Sequence, residues 1–492
     1  MDAGASLLVK DGCLLRRDGT LARADVLIAG GAIAQIDAQI DAPPEAETVD
    51  ARGMIVAPGL VNAHMHSGEN FNPGLYENLP LDLWFVRSHQ VTRTEPPSRE
   101  AIYARTLLGA MLMLRSGTTA AVDFLYEAPE ISLETLEPVV QAYRDAGLRA
   151  TILLGVADLP FAASLPLADA DGAAAHEPEP PSLESIMELA QAAVERWHEP
   201  DGLIGIGLGP SAPQRCSAEL LTATMTFARD HGLVWQTHVL ETKSQAATCR
   251  DWHGETFVER MHKQGLLGPA ATLVHTVWLS DGDIELMSRT GCGAVHCLLS
   301  NLRLGDGVAR LPALMRAGVR IALGTDGRGC DETLDMLELT KMTALVHKAR
   351  GGDYRTWPTA ADALTMATIG GSRIAGHGER LGRIEVGAHG DLVLFRKSSP
   401  AFTPLNDPVR QLVFGAPTRD LSTVIVGGRV VVENGSVIAV NDMWLMDQVH
   451  EHAHEAVGGT QSPGADELMR EVHEMYVRID ARELEIDAYL DG

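Results

Sequence analysis

The sequence predicts an α/β protein: a (β/α)8, TIM-like barrel carrying a small composite β-sandwich domain built from both chain ends. Three observations lead there. Eight short apolar runs between Met54 and Thr325 read as strands and alternate with helix-like segments. Short β-rich segments with turn glycines occur both before residue 57 and after residue 380. Histidines and carboxylates recur at the C-terminal ends of the strand-like runs, where a barrel of this type carries its active site.

Composition narrows the class. Of 492 residues, 45% are apolar and 22% charged, as in ordinary globular proteins. Acidic residues outnumber basic ones 66 to 40, a net charge of −26, which argues against nucleic acid or an anionic membrane as a partner. The six cysteines form no C-x-x-C pair, so neither a redox motif nor a zinc ribbon is indicated. A basic-then-apolar leader and a long apolar run are both missing, so a reduced, cytoplasmic enzyme is expected.

In chain order, residues 1–57 give short strands at Ser6–Lys10, Asp25–Ala29 and Ala32–Ile36, separated by Asp-Gly, Gly-Gly and Pro-Pro turns. Residues 58–380 form the barrel. Its expected strands are Met54–Val61, Thr118–Phe124, Arg149–Val156, Leu203–Gly209, Leu233–Val239, Thr272–Val277, Cys292–Cys297 and Arg320–Thr325. Between them lie helices such as Arg99–Ser116, with Ser98 as N-cap and Gly117 past its end. The acidic, Ala/Pro-rich connection 157–185 reads as a solvated loop or a lid over the barrel mouth. Residues 381–442 return to the β-domain through Gly390–Phe395 and Thr423–Val432. Residues 443–492 form an acidic tail in which Asp466–Tyr489 has helical periodicity. It would pack on its own chain or across a dimer interface.

The strand ends carry the chemistry. His64 and His66, two apart in an extended segment, point to one side. His238 and Glu241 follow strand five, His275 ends strand six, His296 strand seven and Asp326 strand eight. Three imidazoles and a carboxylate suit Zn²⁺ or Fe²⁺, with room for a water whose pKa the ion lowers. Glu241 and His275 are then suited to moving protons. Two motifs are decoys. His450-Glu-His-Ala-His454 matches H-E-x-x-H but lies in the tail, and Gly205-Ile-Gly-Leu-Gly209 is not followed by a helix.

These residues resemble the amidohydrolase superfamily. The match rests on Pro58-Gly-Leu-Val-Asn-Ala-His64-Met-His66, His238-Val-Leu-Glu241, Val274-His275, His296-Cys-Leu-Leu-Ser-Asn301 and Leu323-Gly-Thr-Asp326-Gly. The chain is most similar to the branch of S-adenosylhomocysteine and methylthioadenosine deaminases, guanine deaminase and the triazine hydrolases, which includes atrazine chlorohydrolase-like enzymes. The resemblance implies one divalent metal, Zn²⁺ or alternatively Fe²⁺, held by His64, His66, His238 and Asp326. It implies that Asp326 and His275 handle the proton of the attacking water. Glu241 would protonate the ring nitrogen and the leaving group. No strand-end lysine is present to bridge a second metal. By the same resemblance Glu69, Trp84 and Asn301 are substrate contacts, and a homo-oligomer is expected. The implied reaction is hydrolytic deamination of an amino-substituted N-heterocycle. The alternative is displacement of chloride or an alkylamine from a triazine-like ring, or cleavage of an amide C–N bond. Ser211 stands where adenosine-type relatives carry histidine, which points away from an adenosine substrate. The segment Gly324–Met336 is closer to the triazine hydrolases.

Overall fold

The computed structural model describes residues 6–41, 43–88, 93–168, 170, 177–349, 351–457, 464–482 and 484. Among them, eight parallel strands follow one another round a barrel in chain order. They are β1 (Leu60–Met65), β2 (Thr118–Leu125), β3 (Arg149–Val156), β4 (Ile204–Pro210), β5 (Trp235–Val239), β6 (Ala271–His275), β7 (Gly293–His296) and β8 (Arg320–Leu323). Most strand residues are buried on both faces, as expected for parallel strands with helices outside and side chains filling the interior. Serine or threonine opens most of the intervening helices. Ser98, for example, caps helix Arg99–Arg115 by accepting from the Ala101 amide at 3.1 Å.

β1 and β8 close the ring through side chains as well as backbone. The Asp326 amide donates to the His64 carbonyl at 3.0 Å. Asn62 accepts from the Thr325 amide at 3.1 Å and donates to the Thr325 hydroxyl at 2.7 Å. Gly324 permits the approach, since a Cβ there would lie 2.7 Å from that of His64.

The run expected as a single strand, Met54–Val61, is two strands in two sheets. Met54–Pro58 pairs in parallel with Ser6–Leu15 and antiparallel with Leu392–Arg396, so it joins the two chain ends in one nine-stranded mixed sheet. The break falls at Gly59, where a Cβ would sit 2.1 Å from the Thr119 hydroxyl oxygen. Only a residue without a side chain lets the chain pass β2 and turn into the barrel. The composite sheet has its own apolar core, including Val9, Val26, Ile28 and Leu392. Fully buried Arg149, at the start of β3, ties it to the barrel through Asp391 at 3.2 Å and the Gly202 carbonyl at 2.6 Å. A buried charge is tolerated when it is paired and hydrogen-bonded in this way.

Three further helices matter to the site: α1 (Leu81–Arg87), α2 (Lys243–His253) and α3 (Ala465–Asp480). The last is the expected tail helix, and it packs on its own chain. Leu468, Val472, Met475 and Ile479 are buried, at the i, i+4, i+7, i+11 spacing of one helix face. Burial of each contributes about 1.5–3 kcal/mol. The lid reading of 157–185 falls in part on 169 and 171–176, and the end of the tail on 485–492; these lie outside the described residues. Among the described residues, no helix is long and apolar enough to cross a membrane.

Candidate metal centre and active-site cleft

At the C-terminal mouth of the barrel four imidazoles and two carboxylates converge. His64 and His66 come from β1 and the turn after it, His238 from β5 and His275 from β6. Glu241 and Asp326 lie just past β5 and β8. The backbone is strained here. Leu240, His275, Thr276 and Asp326 have φ of 50°, 68°, 50° and 67°, the left-handed region that non-glycine residues avoid. Such positions cost about 1–3 kcal/mol each and persist where surrounding structure enforces them.

The tautomers of three histidines are fixed from behind. His66 Nδ1–H donates to the Phe124 carbonyl and His238 Nδ1–H to the Ser211 carbonyl, both at 2.6 Å. His64 Nδ1–H donates to Gln236 Oε1 at 3.2 Å, and Gln236 is oriented by its own bond to the Ala63 carbonyl at 3.0 Å. Each Nε2 therefore presents a lone pair. His64 Nε2 and His238 Nε2 lie 3.3 Å apart, and His66 Nε2 is 3.0 Å from Asp326 Oδ1. The His64 and His238 lone pairs, buried and 3.3 Å apart, repel unless a cation lies between them, so the donor set fits a divalent ion.

Electrostatics agree. Burial, then the neighbouring imidazoles, hold His64 and His238 well below the usual histidine range. His275 is lowered too, by burial foremost. Burial is the largest single influence on His66 and lowers it, but the bond to Asp326, the charges of Asp326 and Glu69 and the Phe124 carbonyl together raise it to about 9. Burial alone would raise Asp326; the imidazoles of His66, His275 and His64 keep it well below the usual carboxylate range. Glu241 moves the other way. Burial, followed by the carboxylates of Asp306, Asp326, Asp82 and Glu69, pushes it well above that range.

Asp326 is shared between two sides. Oδ1 faces the imidazoles, while Oδ2 accepts from the Ser300 hydroxyl and lies 4.0 Å from His275 Nε2. His275 Nε2 is 3.4 Å from Glu241, and its Nδ1–H donates to Asn301 Oδ1 at 2.9 Å. Asn301 thus stands behind His275 rather than along the cleft. Glu69 and Trp84 do line the cleft. Burial foremost raises Glu69 to about 7. The glycines of Gly324-Thr-Asp-Gly-Arg-Gly329 make room for these groups, since a Cβ on Gly327 would meet Glu69 at 1.9 Å and one on Gly329 would meet Trp84 at 2.8 Å. His296 is not in the cluster; its ring centroid lies 5.8 Å from that of His347. In the tail, His450 and His454 donate to the carbonyls of Met446 and Glu451.

Several contributors were not singled out from sequence. Gln236 stands two residues before His238 on the same strand, a spacing that puts both on one face and could have marked it. Tyr126 and Arg215 are the others; with Ser211, already noted from sequence, they form one cleft wall, the Ser211 hydroxyl oxygen accepting from Tyr126 at 2.7 Å and from Arg215 at 3.2 Å.

A parallel barrel whose strand ends bring imidazoles and carboxylates to one point defines a metal-dependent hydrolase acting on carbon–nitrogen bonds, with one divalent metal. The chain belongs to the amidohydrolase family, whose profile matches residues 55–431. It is 32% identical over 456 residues to a 5-methylthioadenosine/S-adenosylhomocysteine deaminase of Syntrophobacter fumaroxidans, covering 90% of this chain and 97% of that one. It is also 32% identical over 441 residues to a 5'-deoxyadenosine deaminase of Methanothermobacter thermautotrophicus, covering 89% and 96%. Among solved structures, an adenosine deaminase from Xanthomonas campestris with bound zinc superposes with a TM-score of 0.80 at 25% identity, over 92% of this chain and 99% of that one. An atrazine chlorohydrolase from Arthrobacter aurescens, complexed with zinc, shares the fold with a TM-score of 0.81 at 22% identity, over 91% and 100%.

Proposed function

We propose that this enzyme is a hydrolytic deaminase that replaces the amino group of an N-heterocycle by oxygen, consuming water and releasing ammonia. The observation that carries this reading is the place of Glu241, a buried carboxyl whose pKa burial and neighbouring carboxylates raise, 3.4 Å from His275 in the cleft of the imidazole cluster. A heterocycle needs such an acid. Protonation of the ring nitrogen draws electrons from the amino-bearing carbon, and the same group can later return a proton to the leaving amine. His64, His66, His238 and Asp326 would hold a divalent ion, Zn²⁺ by its preference for imidazole and carboxylate, and the ion supplies water acidic enough to react near neutral pH.

The remaining steps belong to the protein. Asp326 Oδ2 and His275 Nε2 are the acceptors for the proton that the water gives up. Asn301 fixes His275 with its proton on Nδ1, which leaves Nε2 free to accept. Among the described residues Trp84 Nε1–H has no partner, so on this reading it is a donor to the substrate, while Glu69 offers a carboxyl from the same cleft. The deaminases among the relatives support the same reaction class. The acidic surface and six unpaired cysteines suit a cytoplasmic homo-oligomer that keeps clear of nucleic acid and membranes.

The test is ammonia release from zinc-loaded protein across aminated purines, pyrimidines, pterins and triazines, with Asp326→Ala as control. Release from at least one ring class, lost in the control, is expected. Silence across the panel with metal bound would overturn deamination and turn the search to chloride and alkylamine release.

A further inference from the structure

Helix α3 lies beyond the segment matched by the family profile, yet it reaches Asp82 of α1, which lines the cleft. Its apolar face packs with Leu83 and Val86 of α1, with Phe161 and with Ala247 of α2. Polar ties fasten it at one end. Lys243 donates to the Asp480 carbonyl at 3.2 Å, and Arg482 forks the Asp251 carboxylate at 2.6 and 2.8 Å.

Tyr476 goes further in. Its hydroxyl donates to Asp82 Oδ2 at 2.9 Å and accepts from the Asp82 amide at 3.3 Å. That second bond supplies what α1 lacks. The N-cap of α1 is Pro80, whose side chain makes no capping bond, so first-turn amides need an acceptor from elsewhere. Ser244 of α2 donates to the same Asp82 Oδ2 at 3.0 Å. Both side-chain bonds thus fall on one oxygen of a buried carboxylate, while Asp82, Trp84 and Phe85 of α1 line the cleft.

We propose that Tyr476 is a positioning residue of the substrate cleft: through Asp82 it fixes the wall presented by α1, and it leaves the second oxygen of Asp82 to accept an N–H of a heterocyclic substrate. The substrate contact rests on the deaminase reading; the anchoring of α1 does not.

The experiment uses zinc-loaded, full-length protein and whichever heterocycle of the ammonia-release panel is turned over. Tyr476→Phe should raise KM roughly tenfold, as expected for losing one hydrogen bond to a charged group. It should leave kcat within about threefold, because the reacting groups are untouched. Amide hydrogen exchange should quicken in residues 82–88 and stay unchanged in β5. Asp82→Asn should raise KM without quickening exchange in α1. Wild-type KM and exchange in Tyr476→Phe would overturn the proposal. So would a fall in kcat at constant KM, the mark of a smaller folded fraction. Should Tyr476→Phe fail to fold, Ser244→Ala removes the other donor to the same oxygen and carries the same KM expectation. If no heterocycle is turned over, the deaminase reading fails, and hydrogen exchange alone decides whether Tyr476 holds α1.

Discussion

The floor and the wall of the cleft are built differently. On the floor, His64, His66, His238 and Asp326 sit at or just beyond strand ends, and their orienting partners belong to other barrel strands or the turns after them. On the wall, Trp84, Asp82 and Glu69 come from connecting segments, and the partners of Asp82 come from α2 and from a helix almost four hundred residues away, |i−j| = 394 for Tyr476. Backbone carbonyls on a closed sheet are rigid acceptors, whereas side-chain ties between helices can be exchanged singly. On the proposed reading, the difference assigns reaction chemistry to the strand ends and substrate choice to the helices of the wall.

Breaking the floor should cost most. Glu241→Gln keeps the shape but removes the acid, so kcat should fall by about 10²–10⁴ with metal still bound, read by steady-state kinetics beside metal analysis. An unchanged kcat would remove Glu241 from the proton path. Gln236→Leu leaves His64 in place without its orienting acceptor. Metal affinity should drop about 10–100-fold in chelator competition, with the circular dichroism spectrum unchanged. Asn301→Leu frees the His275 ring, and a fall in kcat of roughly tenfold at near-constant KM is expected. The smallest effect sharpens the contrast. Because burial and neighbouring carboxylates raise Glu241, its acid form persists above the usual carboxylate range and is lost as pH climbs through that raised value. kcat/KM should therefore fall on the alkaline side, and a profile flat there would show that no acid of this kind is needed.

The same contrast explains what could be read from sequence. The barrel was legible because each strand is an apolar run followed by a polar residue, and that pattern also exposed His64, His66, His238, His275 and Asp326. Pro58-Gly59 and the 57/58 boundary marked a break in Met54–Val61, but sequence did not show that its two halves join different sheets. What divides it is the approach of Thr119, a tertiary contact. Nor could sequence show that the carbonyls of Phe124 and Ser211 set two imidazoles, since any residue type offers a carbonyl. Asn301 was grouped with substrate contacts from its position in the His296–Asn301 motif, and only the fold places it behind His275. Tyr476 carries no local signal at all. Its importance comes from a docking geometry that brings the tail to Pro80-Leu-Asp82.

The most direct test of the account is the metal content of the purified protein beside that of His238→Ala. One divalent ion per chain in the wild type, and close to none in a variant that keeps the same circular dichroism spectrum, is the result expected from lone pairs converging at 3.3 Å. Equal metal in both proteins, or a folded and active wild type that holds none, would contradict it.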